Sequence, residues 1–139
     1  MEYKIVIGAK DGKSYQKELK GAEAEALHKK NIGETISGDK LGLSGYEFLI
    51  TGGSDKCGFP MRKGILSARK KIMIGKGVGC SGKNRNDQKQ NGLLRRKTVC
   101  GERITNIIVQ VNLKVVKEGP QSLGEVPAEN PAEPAPKAA

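Results

Sequence analysis

Apolar and polar residues alternate along most of this chain, and that period of two predicts strands. Tyr3, Ile5 and Ile7 share one face against Lys4 and Val6. Gly-Ala-Lys-Asp-Gly at 8–12 then turns the chain toward a second strand at 14–19. A short strand at 33–39 closes on a Gly-Asp turn, followed by Leu41-Gly42-Leu43. Further strands are predicted at 46–51, 69–74 and 104–117. In the last, Ile107, Val109, Val111, Leu113 and Val115 are expected on one face, with Asn106, Gln110, Asn112 and Lys114 largely on the other. One segment reads as a helix, 21–30, where Ala22, Ala26 and Leu27 form a weak apolar stripe that Asn31 and Gly33 stop. His28 in its last turn is expected to cap or face solvent. Strands joined by glycine-rich turns, with one short helix, imply a mainly β fold: a small β-barrel-like body or a curled sheet.

The pattern ends near residue 117. From Glu118 to Ala139 the chain holds five of its six prolines and no Tyr, Phe or Ile. Such a segment buries too little apolar area to offset about 1–2 kcal/mol of backbone entropy per residue. The expected organisation is one β-rich domain over 1–117 and a disordered Pro/Ala/Glu-rich tail over 118–139.

Charge changes the picture. Residues 56–103 hold Lys56, Arg62, Lys63, Arg69, Lys70, Lys71, Lys76, Lys83, Arg85, Lys89, Arg95, Arg96, Lys97 and Arg103, against only Asp87 and Glu102. The chain's whole net charge of +10 therefore comes from about a third of its length. A surface charged only for solubility mixes its signs, so the segregation points to a polyanionic partner.

Two loops belong to this basic third. Gly52, Gly53, Ser54, Asp55, Gly58, Phe59, Pro60 and Met61 form a heavily specified segment. Gly52-Gly53 is expected to turn with positive φ, Ser54 and Asp55 to bond nearby amides, and Gly58 to bend the chain again. Pro60 biases Phe59 toward an extended shape, so Phe59 and Met61 can anchor the loop on the core. The second loop, 75–91, is glycine-rich, with Lys76, Lys83, Arg85 and Lys89 among Asn and Gln residues. So long a connection without structure is uncommon unless functional or disordered. Its Gly75-Lys-Gly-Val-Gly79 run lacks the Gly-x-Gly-x-x-Gly spacing and the Gly-Lys-Ser/Thr ending of nucleotide loops.

The same residues narrow the chemistry. One His and no paired carboxylates beside the basic segment argue against an enzyme, and no catalytic residue or cofactor is assigned. Cys57, Cys80 and Cys100 are widely spaced and form no Cys-x-x-Cys pair, so reduced cytoplasmic thiols are expected and no metal. Neither a membrane span nor a signal peptide is expected. The five aromatics, Tyr3, Tyr15, Tyr46, Phe48 and Phe59, are too few for base stacking along a single strand. What remains is a phosphate-tracking surface suited to folded RNA.

Three segments carry a resemblance: Gly-Gly-Ser-Asp-Lys-Cys-Gly-Phe-Pro-Met at 52–61, Arg-Arg-Lys-Thr-Val-Cys-Gly at 95–101 and Ile-Val-Gln-Val-Asn-Leu-Lys-Val-Val-Lys at 108–117. With Gly-Leu-Ser-Gly-Tyr-Glu at 42–47, they resemble the sixth ribosomal protein of the archaeal and eukaryotic small subunit, family S-six-e, in order from about Tyr3 to Gly119. The resemblance implies a β-rich body packed on small-subunit ribosomal RNA among neighbouring ribosomal proteins, with the motif loop and the Arg-Arg-Lys segment at or near the RNA. The chain departs from the pattern at Cys100, where the family usually carries Arg. A Pro/Ala-rich tail also stands in place of the long basic C-terminal helix of eukaryotic members, so it looks like a short archaeal-type member. The competing readings are a free RNA-binding β-barrel acting as chaperone or regulator, and an enzyme on a phosphorylated substrate.

Overall fold

The computed structural model describes residues 2–120 and 123. Seven strands form: β1 (Glu2–Gly8), β2 (Ser14–Lys20), β3 (Thr35–Ser37), β4 (Glu47–Asp55), β5 (Arg69–Ile74), β6 (Arg95–Cys100) and β7 (Ile108–Lys117). A six-residue helix α1 (Ala22–Leu27) follows β2, and a 3-10 turn (Gly38–Leu41) follows β3. The protein is mainly β, as its alternation predicts.

Five strands make one mixed sheet in the order β2-β1-β7-β4-β3, with β1 and β7 parallel and the other neighbours antiparallel. The register puts apolar side chains opposite one another on one face. Tyr3 opposes Leu19, Ile5 opposes Val111, Ile7 opposes Leu113, Phe48 opposes Val115 and Ile36 opposes Phe48. Every one of these is buried in a single core that α1 covers with Ala24 and Leu27, joined by Leu41, Leu43, Met61 and Ile104.

The sheet does not close into the expected barrel. Its outer strands, β2 and β3, do not pair with each other. Between them in sequence stands α1, which packs on β2 and on the 3-10 turn, and the turn in turn packs on β3. Ala24 and Leu27 thus fill the space that closure needs. β5 and β6 form a separate two-stranded ribbon.

Local departures from the predicted elements have local causes. The helix stops at Leu27 because His28 is extended and Lys29 turns left-handed at φ 66. His28 is held at this end by the Tyr3 hydroxyl, 3.2 Å from its Nδ1. β4 runs past Thr51 to Asp55, through Gly52 and Gly53, neither of which has positive φ. The register against β7 slips by one at Thr51, so the inward positions change from Phe48 and Ile50 to Gly53 and Asp55. A matching slip beside Val109 pairs Asp55 with Ile108, which is why Ile108 is buried while Ile107, expected inside, is exposed.

The predicted tail over 118–139 lies mostly outside the described residues. Its first residues touch the body: a Cβ on Gly119 would come within 2.5 Å of the Ser44 carbonyl oxygen, and Leu123 is buried in the core.

Candidate nucleic-acid interface

The basic third of the chain folds as the ribbon and the segments that tie it to the sheet. Of its predicted contact residues, Lys56, Lys63, Arg69, Lys70, Lys71, Lys76, Lys83, Arg85, Lys89, Arg95, Arg96, Lys97 and Arg103 are all exposed, and Arg62 is half-buried. The ribbon brings Arg69, Lys70 and Lys71 of β5 beside Arg95, Arg96 and Lys97 of β6. Its register sets each cation opposite an uncharged residue: Arg69 with Cys100, Lys70 with Val99, Lys71 with Thr98, Ile72 with Lys97, Met73 with Arg96 and Ile74 with Arg95. Cross-strand repulsion is thereby avoided without an acid standing opposite any of the cations. Among the described residues, only Arg69 and Lys83 of the predicted contact cations form ion pairs.

A two-stranded ribbon alone is marginal in water. This one is fastened by the motif segment. Met61 donates its N–H to the Gly53 carbonyl at 2.9 Å, while Cys100 donates to Pro60 O at 2.8 Å and Arg62 to Cys100 O at 3.1 Å. Residues 60–62 therefore stitch the end of β6 to β4. The Met61 side chain also occupies the space beside Gly53, where an added Cβ would lie 3.0 Å from its sulfur and 2.3 Å from the Gln110 carbonyl oxygen. Gly53 is needed for this close approach rather than for a turn. Gly58, at φ 81, does serve the bend predicted for it.

Asp55 is the pivot. Its side chain is wholly buried and accepts hydrogen bonds from the Cys57 N–H at 2.8 Å, the Phe59 N–H at 2.9 Å and the Cys100 thiol at 3.2 Å. The Arg69 guanidinium completes the set with a short ion pair, and it also lies 5.2 Å from the centre of the Phe59 ring. Burial pushes the Asp55 pKa up, but the bonds from Phe59, Cys100, Arg69 and Cys57 outweigh it and hold the carboxyl below its ordinary value. Cys100 moves the other way: burial first, then the adjacent carboxylate, raise its thiol to about 11. It is a neutral hydrogen-bond donor at pH 7 and cannot itself contact phosphate.

The sequence places Asp55 in a turn, and it does hold the 55–59 bend. Its larger role, as the buried acceptor of a β5 arginine and a β6 thiol, depends on tertiary pairing that no local spacing announces. β6 itself is not among the predicted strands, because three consecutive cations hide a strand whose apolar signal is confined to Val99 and Cys100.

The connection between β5 and β6 is a turn-rich arm. Gly77 bridges Cys80 and Lys83 bridges Lys89, with Asp87 left-handed at φ 57 between them. Gly79 sits against Pro60, Val99 and Ile74, folding the first turn back over the ribbon.

These features define a small, mainly β protein whose distinctive chemistry is a segregated cationic surface and not a reaction centre. Its sequence matches the ribosomal protein S6e family over residues 3–128, and the chain belongs to that family. It is 42% identical over 130 residues to the small ribosomal subunit protein eS6 of Methanosphaera stadtmanae, covering 93% of this chain and 95% of the relative. The protein of that name from Methanococcus maripaludis strain C6 is 43% identical over 129 residues, with 91% and 97% covered. That from Archaeoglobus fulgidus is 42% identical over 129 residues, with 91% and 95% covered. The chain is therefore an archaeal-type member of a structural, non-enzymatic ribosomal family.

Proposed function

We propose that this protein is a structural constituent of the small subunit of the cytoplasmic ribosome, and that it docks on ribosomal RNA through the β5–β6 ribbon and its connecting arm. The carrying observation is the ribbon's register, which exposes six cations on two short strands without an acid opposite any of them. Such a surface tracks phosphates and releases counterions on binding. Arg95, Arg96, Lys97, Lys70 and Lys71, with Lys76, Lys83, Arg85 and Lys89 of the arm, supply the phosphate contacts, while Arg69, held by Asp55 and Phe59, fixes the ribbon's position. Neighbouring ribosomal proteins meet part of the remaining surface.

The test is sedimentation of a cell extract followed by RNA binding across a salt series. The protein should run with the small subunit. Its affinity for small-subunit RNA should fall on the order of a thousandfold from low to moderate salt, as roughly six to eight phosphate contacts require. Recovery away from subunits, with equal binding to an unstructured oligonucleotide, would instead favour a free RNA-binding protein.

A further inference from the structure

At the base of the arm between β5 and β6 lies a cavity of about 430 Å³. Its size falls within the range of small-ligand sites. Leu93 and Leu94 supply apolar surface, Gln90 and Asn91 supply side-chain amides, and Lys76, Lys83 and Lys89 supply positive charge. Leu94 is 60% exposed, and with the exposed Met73 of β5 and Val78 of the arm it sets apolar side chains among the cations of this surface.

A second observation concerns charge. Along the ribbon no two cations oppose each other, yet at the arm Lys83 and Lys89 are direct cross-strand partners. Like charges placed so are destabilising. Asp87, at 3.4 Å, relieves Lys83, but its carboxylate is 88% exposed and Lys89 has no ion pair among the described residues. The arm thus concentrates positive charge beside an apolar wall and a pair of amides that can both donate and accept. Those are the three needs of a single nucleotide: a flat apolar contact for the base, paired donors and acceptors for its edge, and cations for its phosphate.

We infer that this cavity receives one unpaired nucleotide, bulged from a helix of the RNA on which the ribbon docks. The inference rests on the RNA-docking reading, and it assigns to the arm a role the ribbon does not have. The ribbon tracks backbone phosphates without regard to base, whereas the cavity takes a base already out of its stack, which costs little to unstack further. Leucine stands where stacking aromatics are usual, so the site is one of apolar contact and edge hydrogen bonds.

The experiment uses the full chain and two RNA stems, one fully paired and one carrying a single bulged 2-aminopurine. The bulged stem should bind about tenfold tighter, which equals about 1.4 kcal/mol, and the fluorescence of its 2-aminopurine should change on binding. Replacing both amides, Gln90→Ala with Asn91→Ala, should bring the bulged stem down to the affinity of the paired one and leave the paired stem within about twofold. Leu94→Asn, an uncharged change at an exposed position that tolerates a polar side chain, should do the same. Equal binding of the two stems by the unaltered protein overturns the cavity's role while leaving the RNA reading intact. Failure of both stems to bind overturns both. Tight binding of a free nucleoside monophosphate without preference for the bulge would assign the cavity to a small molecule and also overturn the inference.

Discussion

The five-stranded sheet and the two-stranded ribbon handle positive charge in opposite ways. On the sheet, Lys4 faces Glu18 across β1 and β2 at 2.9 Å, Lys20 faces Glu2, and Lys117 faces Glu47 across β7 and β4. These pairs are exposed and screened by water, so they stabilise the fold little, but they cancel charge on the sheet locally. On the ribbon, every cation faces a neutral residue across the strands, and of its six cations only Arg69 has an ion-pair partner among the described residues, Asp55. The sheet is a body that satisfies itself. The ribbon is stable only because Asp55 and residues 60–62 fasten it to that body, and its charge is left for a partner.

The comparison breaks if position does not matter. Changing Arg95, Arg96 and Lys97 together to Gln should weaken binding to small-subunit RNA on the order of several hundredfold at moderate salt and flatten the salt slope by about three. Changing Lys4, Lys20 and Lys117 to Gln removes as much charge and should cost threefold or less. Equal losses in a filter-binding or fluorescence titration would mean that net charge alone drives association.

The fastening can be tested apart from the charge. Asp55→Ala strips two backbone N–H groups, a thiol and a guanidinium of their acceptor. Arg69 is partly exposed and recovers water, so the expected loss is about 2–3 kcal/mol in urea unfolding, set mainly by the amides. Lys4→Ala, which breaks the shortest pair on the sheet, should shift the urea midpoint far less than Asp55→Ala does, because that pair is exposed and screened. Acid separates them as well. The Asp55 pKa is lowered in the fold, so its stabilisation is complete above the unfolded value near 3.9 and is lost as pH falls through the folded value. That acid-side loss should vanish in Asp55→Ala.

Much of the sheet is legible in the sequence because its signals are local. Alternation names Tyr3, Ile5 and Ile7 of β1 and Val111, Leu113 and Val115 of β7 as inward residues, and the Gly-Asp turn closes β3 where predicted. The exposed cluster of cations is equally legible, since clustering is a property of composition. What escapes is set by pairing. The slip at Thr51 carries β4 through Gly52 and Gly53, residues that read as a turn. The partner slip beside Val109 exchanges Ile107 for Ile108 inside. The barrel fails to close because α1 fills the gap, a matter of volume that periodicity does not carry. The bond from Cys100 to Asp55 spans 45 residues, and no spacing rule reaches that far.

The two adjacent glycines of β4 sharpen the difference between a turn and a close approach. Gly53→Ala should destabilise by about 1–3 kcal/mol, because its Cβ would stand 2.3 Å from the Gln110 carbonyl oxygen in a backbone that cannot yield cheaply. Gly52→Ala meets nothing within 4 Å and should stay within about 0.5 kcal/mol of the parent protein. Thermal melts of the two variants decide the point. Similar losses would return the Gly-Gly pair to the role of a turn.

The smallest effect lies on the alkaline side, at the thiol that joins ribbon to sheet. Cys100 is raised to about 11 in the fold by burial and by the Asp55 carboxylate, against about 8.5 in an unfolded chain. A raised value stabilises the fold fully below the unfolded pKa, and the contribution is lost as pH rises toward the folded one. By pH 9 the unfolded thiol is mostly ionised while the folded one is not, which costs the native state about 1 kcal/mol. Lysines and tyrosines also titrate at high pH, so the quantity to measure is the stability difference between the parent and Cys100→Ala. That difference should shrink by about 1 kcal/mol between pH 7.5 and 9. Alkylation gives an independent reading. Exposed Cys57 should react readily with iodoacetamide at pH 8 while buried Cys100 reacts only on unfolding, and a ribbon that opened without the body would let both react together.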